Sequence, residues 1–266
     1  MRRFIPFWFF ASVLYMLFSS PAFPQGATTA SSDPQAVALA TQALTALGTA
    51  QVSDVTLTGS VTRSIGPDVE TGSFTLKALG LVQSRMDLSF SSGPVTEIRT
   101  IANGTPQGMW LEGGTVHPAA NHNCFTDAAW FFPALSILNG PIFNANSVVT
   151  YIGLETRAGR SVQHLHYFVQ GAVSDPTGLV QRLSAEDIYL DSSSLLLVSL
   201  VFNEHPDANA AVNTPVEIDY SDYRSINGIN LPFRIRKSFN GSLLLDLTVQ
   251  SAALNSGLSN SVFTAQ

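Results

Sequence analysis

Two histidines two residues apart, His164 and His166, stand on a predicted strand over 161–170. Alternation puts both on one face with Val162 and Phe168. Imidazoles at that spacing can ligate a metal, but a zinc site needs further donors. The available ones are His117, His122 and Cys124, about forty residues upstream in a stretch without fixed ligand spacing. The weightier reading is ordinary polar residues on a strand and in a loop, and no metal is expected. Cys124 is the one cysteine, so no internal disulfide can form. As a nucleophile it would need a lowered pKa, from His122 or from the predicted helix it precedes. No catalytic signature surrounds it, and a small buried thiol is the better expectation.

The carboxylates Glu97, Asp187 and Glu217 fall on predicted outward strand positions or strand starts, where they read as solvated. The chain holds no G-x-S-x-G, P-loop, H-E-x-x-H or G-x-G-x-x-G. No catalytic residue, cofactor or enzymatic activity is expected. The pattern with most content is apolar: Trp130, Phe131, Phe132, Leu135, Ile137 and Leu138, in a segment that Thr126-Asp127 would cap as a helix over 126–138. A helix apolar on every side either fills a core or covers a cavity. With Trp110 on the preceding strand, the candidate lining of an apolar pocket is Trp110, Trp130, Phe131, Phe132, Leu135 and Leu138.

The elements that must position these residues follow from periodicity. Asp33-Pro34 opens a helix whose Ala36, Leu39, Ala40, Ala43, Leu44 and Leu47 form one face, ended by Gly48. From 55 onward the period is two, in 55–62, 73–79, 83–90, 95–102 and 107–112. Residues 113–125 read as a loop. Strands resume at 147–155 and 161–170, and a short helix is expected over 177–184. Further strands are expected near 186–190, 194–203, 215–223, 230–239 and 242–252. Asn227-Gly228 and Asn240-Gly241 join the last three as hairpins. The fold class is α+β: a single highly curved antiparallel sheet, an incomplete β-barrel of about ten or eleven strands, with helices packed on its concave face.

The organisation along the chain is a signal peptide over 1–22, a disordered lead-in over 23–32 and one domain over 33–266. Met1-Arg2-Arg3 precedes an apolar run from Phe4 to Phe18 and then Ser19-Ser20-Pro21-Ala22, the order of a cleaved secretory signal. Its loss removes two Arg and no acid, moving the net charge from −6 to −8. That surface, with 12% charged residues, is unsuited to neutralising phosphates, so no nucleic-acid partner is expected.

The closing stretch reads Tyr220-Ser221-Asp222-Tyr223-Arg224-Ser225-Ile226-Asn227-Gly228-Ile229-Asn230-Leu231-Pro232-Phe233, then Phe239-Asn240-Gly241, Asp246 and Leu254-Asn255 before Phe263. It resembles the closing meander of the LolA/LolB superfamily of periplasmic lipoprotein carriers, particularly divergent secreted members. The opening helix with its Thr58-Gly59-Ser60 strand is similar, and the element order matches over roughly 34–263. The resemblance implies a half-barrel with an apolar cavity, a lipid or acylated protein as partner, and no cofactor. No family residue is carried over by it. The expected function is a periplasmic or secreted, monomeric carrier of a lipid, acyl chain or other apolar ligand. The alternative is a non-catalytic envelope sensor or structural module that binds a protein partner; a histidine-based metal protein comes third.

Overall fold

In the computed structural model the described residues are 30–80, 82–102, 105–126, 128–133, 146–171, 175 and 177–264. The expected signal peptide lies outside them. So does most of the expected lead-in, but Ser32 bonds to Ser147 and Val149, and the Asp33 N–H donates to the Val149 carbonyl at 2.8 Å.

Helix α1 (Pro34–Leu47) starts where Asp33 accepts from the Gln35 N–H at 2.8 Å and Pro34 supplies a preset first turn. It ends at Gly48, whose φ of 129° is costly for any side chain. A Cβ there would also lie 2.2 Å from the Gly228 carbonyl, so this glycine lets the helix end press on a hairpin turn.

The strands are β1 (Asp54–Ile65), β2 (Asp68–Leu79), β3 (Gln83–Phe90), β4 (Gly93–Ala102), β5 (Thr105–Glu112) and β6 (Thr115–Pro118) in the first half. The second half supplies β7 (Ser147–Arg157), β8 (Arg160–Val169), β9 (Glu186–Asp191), β10 (Leu197–Glu204), β11 (Thr214–Ile226), β12 (Ile229–Phe239) and β13 (Ser242–Leu254). A short helix, α2 (Leu179–Leu183), precedes β9; Asp175 accepts from the Leu179 and Val180 N–H groups at its start.

All thirteen strands form one open antiparallel sheet in the order β6-β5-β4-β3-β2-β1-β13-β12-β11-β10-β9-β8-β7. Two meanders are thus stitched together by the β1–β13 pair. The hairpins at Asn227-Gly228 and Asn240-Gly241 are as expected, with all four residues at positive φ. Thirteen strands stand against the ten or eleven expected. The short edge strand β6 lies in the stretch read as a loop, because Gly, His and Pro mask a four-residue strand.

This topology has one strong consequence. β6 and β7 are the two outer edges of the sheet, so the connection between them must travel from one edge to the other. It carries a 3₁₀ turn over Asn121–Cys124 and then Ala128–Pro133. The expected helix over 126–138 is absent from its described part. Residues 128–131 are turns, and the Phe132 N–H bonds to the Ala129 carbonyl, the closure of a single tight turn. Pro133, with no N–H to give, cannot make a helical bond back to the Ala129 carbonyl.

One face of the sheet carries the core. Val55, Leu57, Phe74, Leu76, Leu88, Leu165, Ile188, Leu200, Ile218, Leu231, Ile235 and Leu247 all belong to it. Ala36, Ala40, Ala43 and Leu47 of α1 pack into the same cluster. The small alanines let the helix lie close while crossing from β7, through Asp33, to β12, where Asn230 bonds to the Ala46 carbonyl. A 14-residue helix is about 21 Å long, close to the ~24 Å across the intervening strands. Among the described residues no helix is long and apolar enough to cross a membrane.

Candidate ligand cavity

The edge-to-edge connection brings Ala129, Trp130, Phe131 and Phe132 onto the core face, where they are 0, 4, 1 and 0% exposed. Four consecutive residues in no regular element therefore fill a large part of the core. Side-chain oxygens from the sheet hold their backbone. The Tyr220 hydroxyl donates to the Trp130 carbonyl at 2.5 Å and the Ser84 hydroxyl to the Ala128 carbonyl at 2.5 Å. Trp130 and Phe131 meet edge to face, with ring centroids 5.8 Å apart. Burial of each large apolar side chain is worth about 1.5–3 kcal/mol.

Beside this segment lies a half-open cavity of about 210 Å³, lined by Glu97, Arg99, Trp110, Asn123, Glu204 and Lys237 among others. Four of its charged groups form two pairs, and Asp207 stands apart from both. Arg99 Nε lies 3.2 Å from Glu97 Oε1, and Lys237 Nζ lies 3.3 Å from Glu204 Oε1. Burial alone would raise the Glu97 carboxyl, but the Arg99 and Lys237 charges outweigh it and hold it below its usual range. Lys237 also sits 5.3 Å from the centre of the Trp130 ring, so one cation touches both the charged cleft and the aromatic segment.

The floor of the cleft is tied to the 3₁₀ turn. Arg99 donates to the Asn123 carbonyl, and Asn123 exchanges two hydrogen bonds with the His205 backbone, at 2.7 and 2.8 Å. His205 is buried; its Nδ1 meets the Val212 carbonyl at 2.9 Å and therefore carries the proton, while Nε2 has no hydrogen-bond partner among the described residues. Burial pushes the Cys124 thiol up despite the nearby Arg99, which leaves it a protonated, weakly reactive group.

Glu97 thus corrects an expectation: it faces the cleft, not solvent. It pairs in register with Trp110, so both lie on one face of the β4–β5 ladder. Trp110 is 38% exposed at the rim, stacked on His117 with centroids 4.0 Å apart. Of the six residues expected to line a pocket, Trp130, Phe131 and Phe132 lie together in the core and Trp110 lies in the charged cleft; Lys237 borders both groups. Leu135 and Leu138 lie outside the described residues. Nothing in the sequence reading singled out Arg99, Glu204 or Lys237. Lys237 continues the inward series Ile229, Leu231, Phe233, Ile235 at period two, and a cation in that register was the available signal.

On the opposite face lies a second polar cluster. His164 Nδ1 is 2.6 Å from Glu155 and its Nε2 3.1 Å from Asp187, which also meets His166 Nδ1 at 2.8 Å. The His164 ring stacks on Tyr189, which in turn lies under the Arg157 guanidinium, itself paired to Glu217 at 2.6 Å. The histidines therefore do have carboxylate partners, and Asp187 is engaged by them rather than simply solvated. His117, on edge strand β6, is remote in the sheet from β8, and His122 instead meets the Pro206 carbonyl. Among the described residues no group of three or more His, Cys, Asp or Glu is arranged to hold a metal ion.

No known protein-family profile matches the chain, and no curated protein matches it. Solved structures do. A domain from Vibrio parahaemolyticus classed as an outer membrane lipoprotein-sorting protein is 11% identical, with a TM-score of 0.57 over 86% of this chain and 96% of that one. A DUF1329 family protein from Desulfovibrio piger is 14% identical, with a TM-score of 0.55 over 88% of this chain and 98% of that one. A LolA superfamily protein from Nitrosomonas europaea is 11% identical, with a TM-score of 0.53 over 86% and 97%. Such identities speak to fold alone, and all three cover nearly the whole of the described domain. The chain has the fold of the LolA superfamily.

Proposed function

We propose that this protein is an exported, non-catalytic carrier that binds a lipid, a lipoprotein acyl chain or another apolar molecule on the concave side of its sheet. The observation that carries this reading is the segment Ala129–Phe132. It buries three aromatic rings against the sheet without helix or strand of its own, its backbone held by a single tight turn and by the Tyr220 and Ser84 hydroxyls. A short chain segment held mainly by apolar contact can be displaced by an apolar ligand that offers similar contact, at about 25 cal/mol per Å² exchanged. Trp130, Phe131 and Phe132, with Leu135 and Leu138 beyond them, would then line the occupied cavity, and Trp110 its mouth. The likeness to lipoprotein-sorting and LolA superfamily structures supports the same reading.

A second reading, an envelope module whose core is permanently filled by its own side chains, draws on the same burial. Native mass spectrometry of the mature protein, purified from its own periplasm and followed by organic extraction, separates the two. Co-purifying lipid that is lost in Phe132→Asp, with the far-ultraviolet circular dichroism of the sheet retained, supports the carrier. A clean apo mass with no uptake of added lipid, or global unfolding of Phe132→Asp, favours the filled module and a search for its protein partner.

A further inference from the structure

The cavity beside the aromatic segment is too small and too charged for an acyl chain. Pockets that enclose a drug-sized ligand run to roughly 300–1,000 Å³, whereas this one is about 210 Å³. It has room for a head group and not for a lipid. Its wall sets two cations, Arg99 and Lys237, against two carboxylates, Glu97 and Glu204. Asp207 adds a further, exposed carboxylate at the lining.

We propose that this cleft takes the zwitterionic head of an amphiphile, a phosphate on Arg99 and Lys237 and an ammonium among Glu97, Glu204 and Asp207. The proposal rests on the carrier reading, because the tail of that amphiphile is the apolar ligand that replaces Trp130–Phe132.

Charge balance selects this class. Each cation already has a carboxylate partner, so an entering anion leaves one buried negative charge uncompensated, and an entering cation leaves one positive charge so. A head that carries both signs inserts between the two pairs and lets every charge keep an opposite neighbour. A neutral head satisfies neither pair and gains nothing from the desolvation that its entry imposes. Trp110 adds an exposed indole at the rim, a surface that attracts an organic ammonium. Lys237 fixes where head and tail divide, since its ammonium meets Glu204 on the cleft side and the Trp130 ring on the other.

The test offers the purified protein mixed vesicles holding equal parts of dioleoyl phosphatidylethanolamine, dioleoyl phosphatidylglycerol and dioleoylglycerol. The protein is then re-isolated and its bound lipid counted by native mass spectrometry. With tails identical, the expected result is retention of the ethanolamine lipid by about tenfold or more over the other two, the scale of one charged hydrogen bond. Glu204→Gln removes one negative charge from the cleft and should turn the preference toward the glycerol phosphate. Trp110→Leu, which removes the indole from the rim, should weaken the preference for the ethanolamine lipid. Equal retention of all three lipids overturns the head-group proposal and leaves the carrier standing. Retention of none overturns the carrier reading and this one with it. Free phosphoethanolamine binding as tightly as the lipid would overturn the amphiphile in favour of a small soluble zwitterion.

Discussion

The two polar clusters of this molecule use the same chemistry on opposite faces of one sheet. The outer one, Glu155, His164, His166 and Asp187, is assembled from β7, β8 and β9, three strands consecutive in the sheet and in the chain. Its contacts are cross-strand pairs and diagonals, it lies flat, and its carboxylates are 36–42% exposed. The inner one, Glu97, Arg99, Glu204 and Lys237, draws on β4, β10 and β12, which are not neighbours in the sheet. It surrounds a cavity, and the side chain of Lys237 is only 9% exposed. Neighbouring strands make a polar patch by pairing alone. Non-neighbouring strands make one only where the two wings of the sheet face a common interior, so the inner cluster depends on the whole fold.

The largest contrast should appear on removing one member of each. Lys237→Ala leaves Glu204, and in part Glu97, without its cation in a poorly solvated place; the expected cost is about 3 kcal/mol, the lower end for breaking a buried pair. Asp187→Ala removes the shared partner of both histidines at a site that water reaches, and should cost about 1 kcal/mol or less. Urea unfolding followed by circular dichroism measures both. Comparable losses would mean that the inner cleft is as well solvated as the outer face, and that the contrast is one of position and not of energy. Salt sharpens the same comparison. In 1 M sodium chloride, where the screening length falls to about 3 Å, the cost of Asp187→Ala should shrink toward zero while that of Lys237→Ala largely persists.

The same division explains what could be read from the residues. Alternation in 229–239 and 242–254, with Asn-Gly turns between, is local information, and the closing meander is as expected. That His164 and His166 share a face is equally local, though their partners Glu155 and Asp187 required the register of three strands. The inner cleft was not legible, because Glu97 and Arg99 lie on one face of β4 while Thr96 and Thr100 make the other face polar too, and either could have been the wet one. The covering of Ile98, 0% exposed on the other face, explains why: Phe263, at the far end of the chain, lies in a 3₁₀ turn packed against β3 and β4. A strand buried on both sides does not announce which side holds its charges. The expected helix over 126–138 fails in its described part for a related reason. Aromatic density there reports burial, and burial is supplied by a turn crossing between sheet edges as readily as by a helix.

Acid should produce the smallest effect, and its sign follows from the carboxyls. Burial would raise Asp187, but bonds and charge from His166 and His164 outweigh it and hold it below its ordinary 3.8. Arg99 and Lys237 likewise hold Glu97 below its ordinary 4.5. A carboxyl depressed on folding contributes stability that is complete above its unfolded value and is lost as the pH falls through its folded one. Both contributions are therefore intact at neutral pH and decline only in acid, Glu97 below about pH 4.5 and Asp187 below about pH 3.8. Urea midpoints taken from pH 6 down to pH 2 should fall less steeply in Asp187→Asn than in the parent protein, with the gap between the two curves steady above that lower bound and closing below it. A gap that changes near neutral pH would show that the histidines, and not Asp187, set the energetics of the outer cluster. That outcome would turn the outer face into the pH-responsive half of the comparison and leave the inner cleft as its fixed reference.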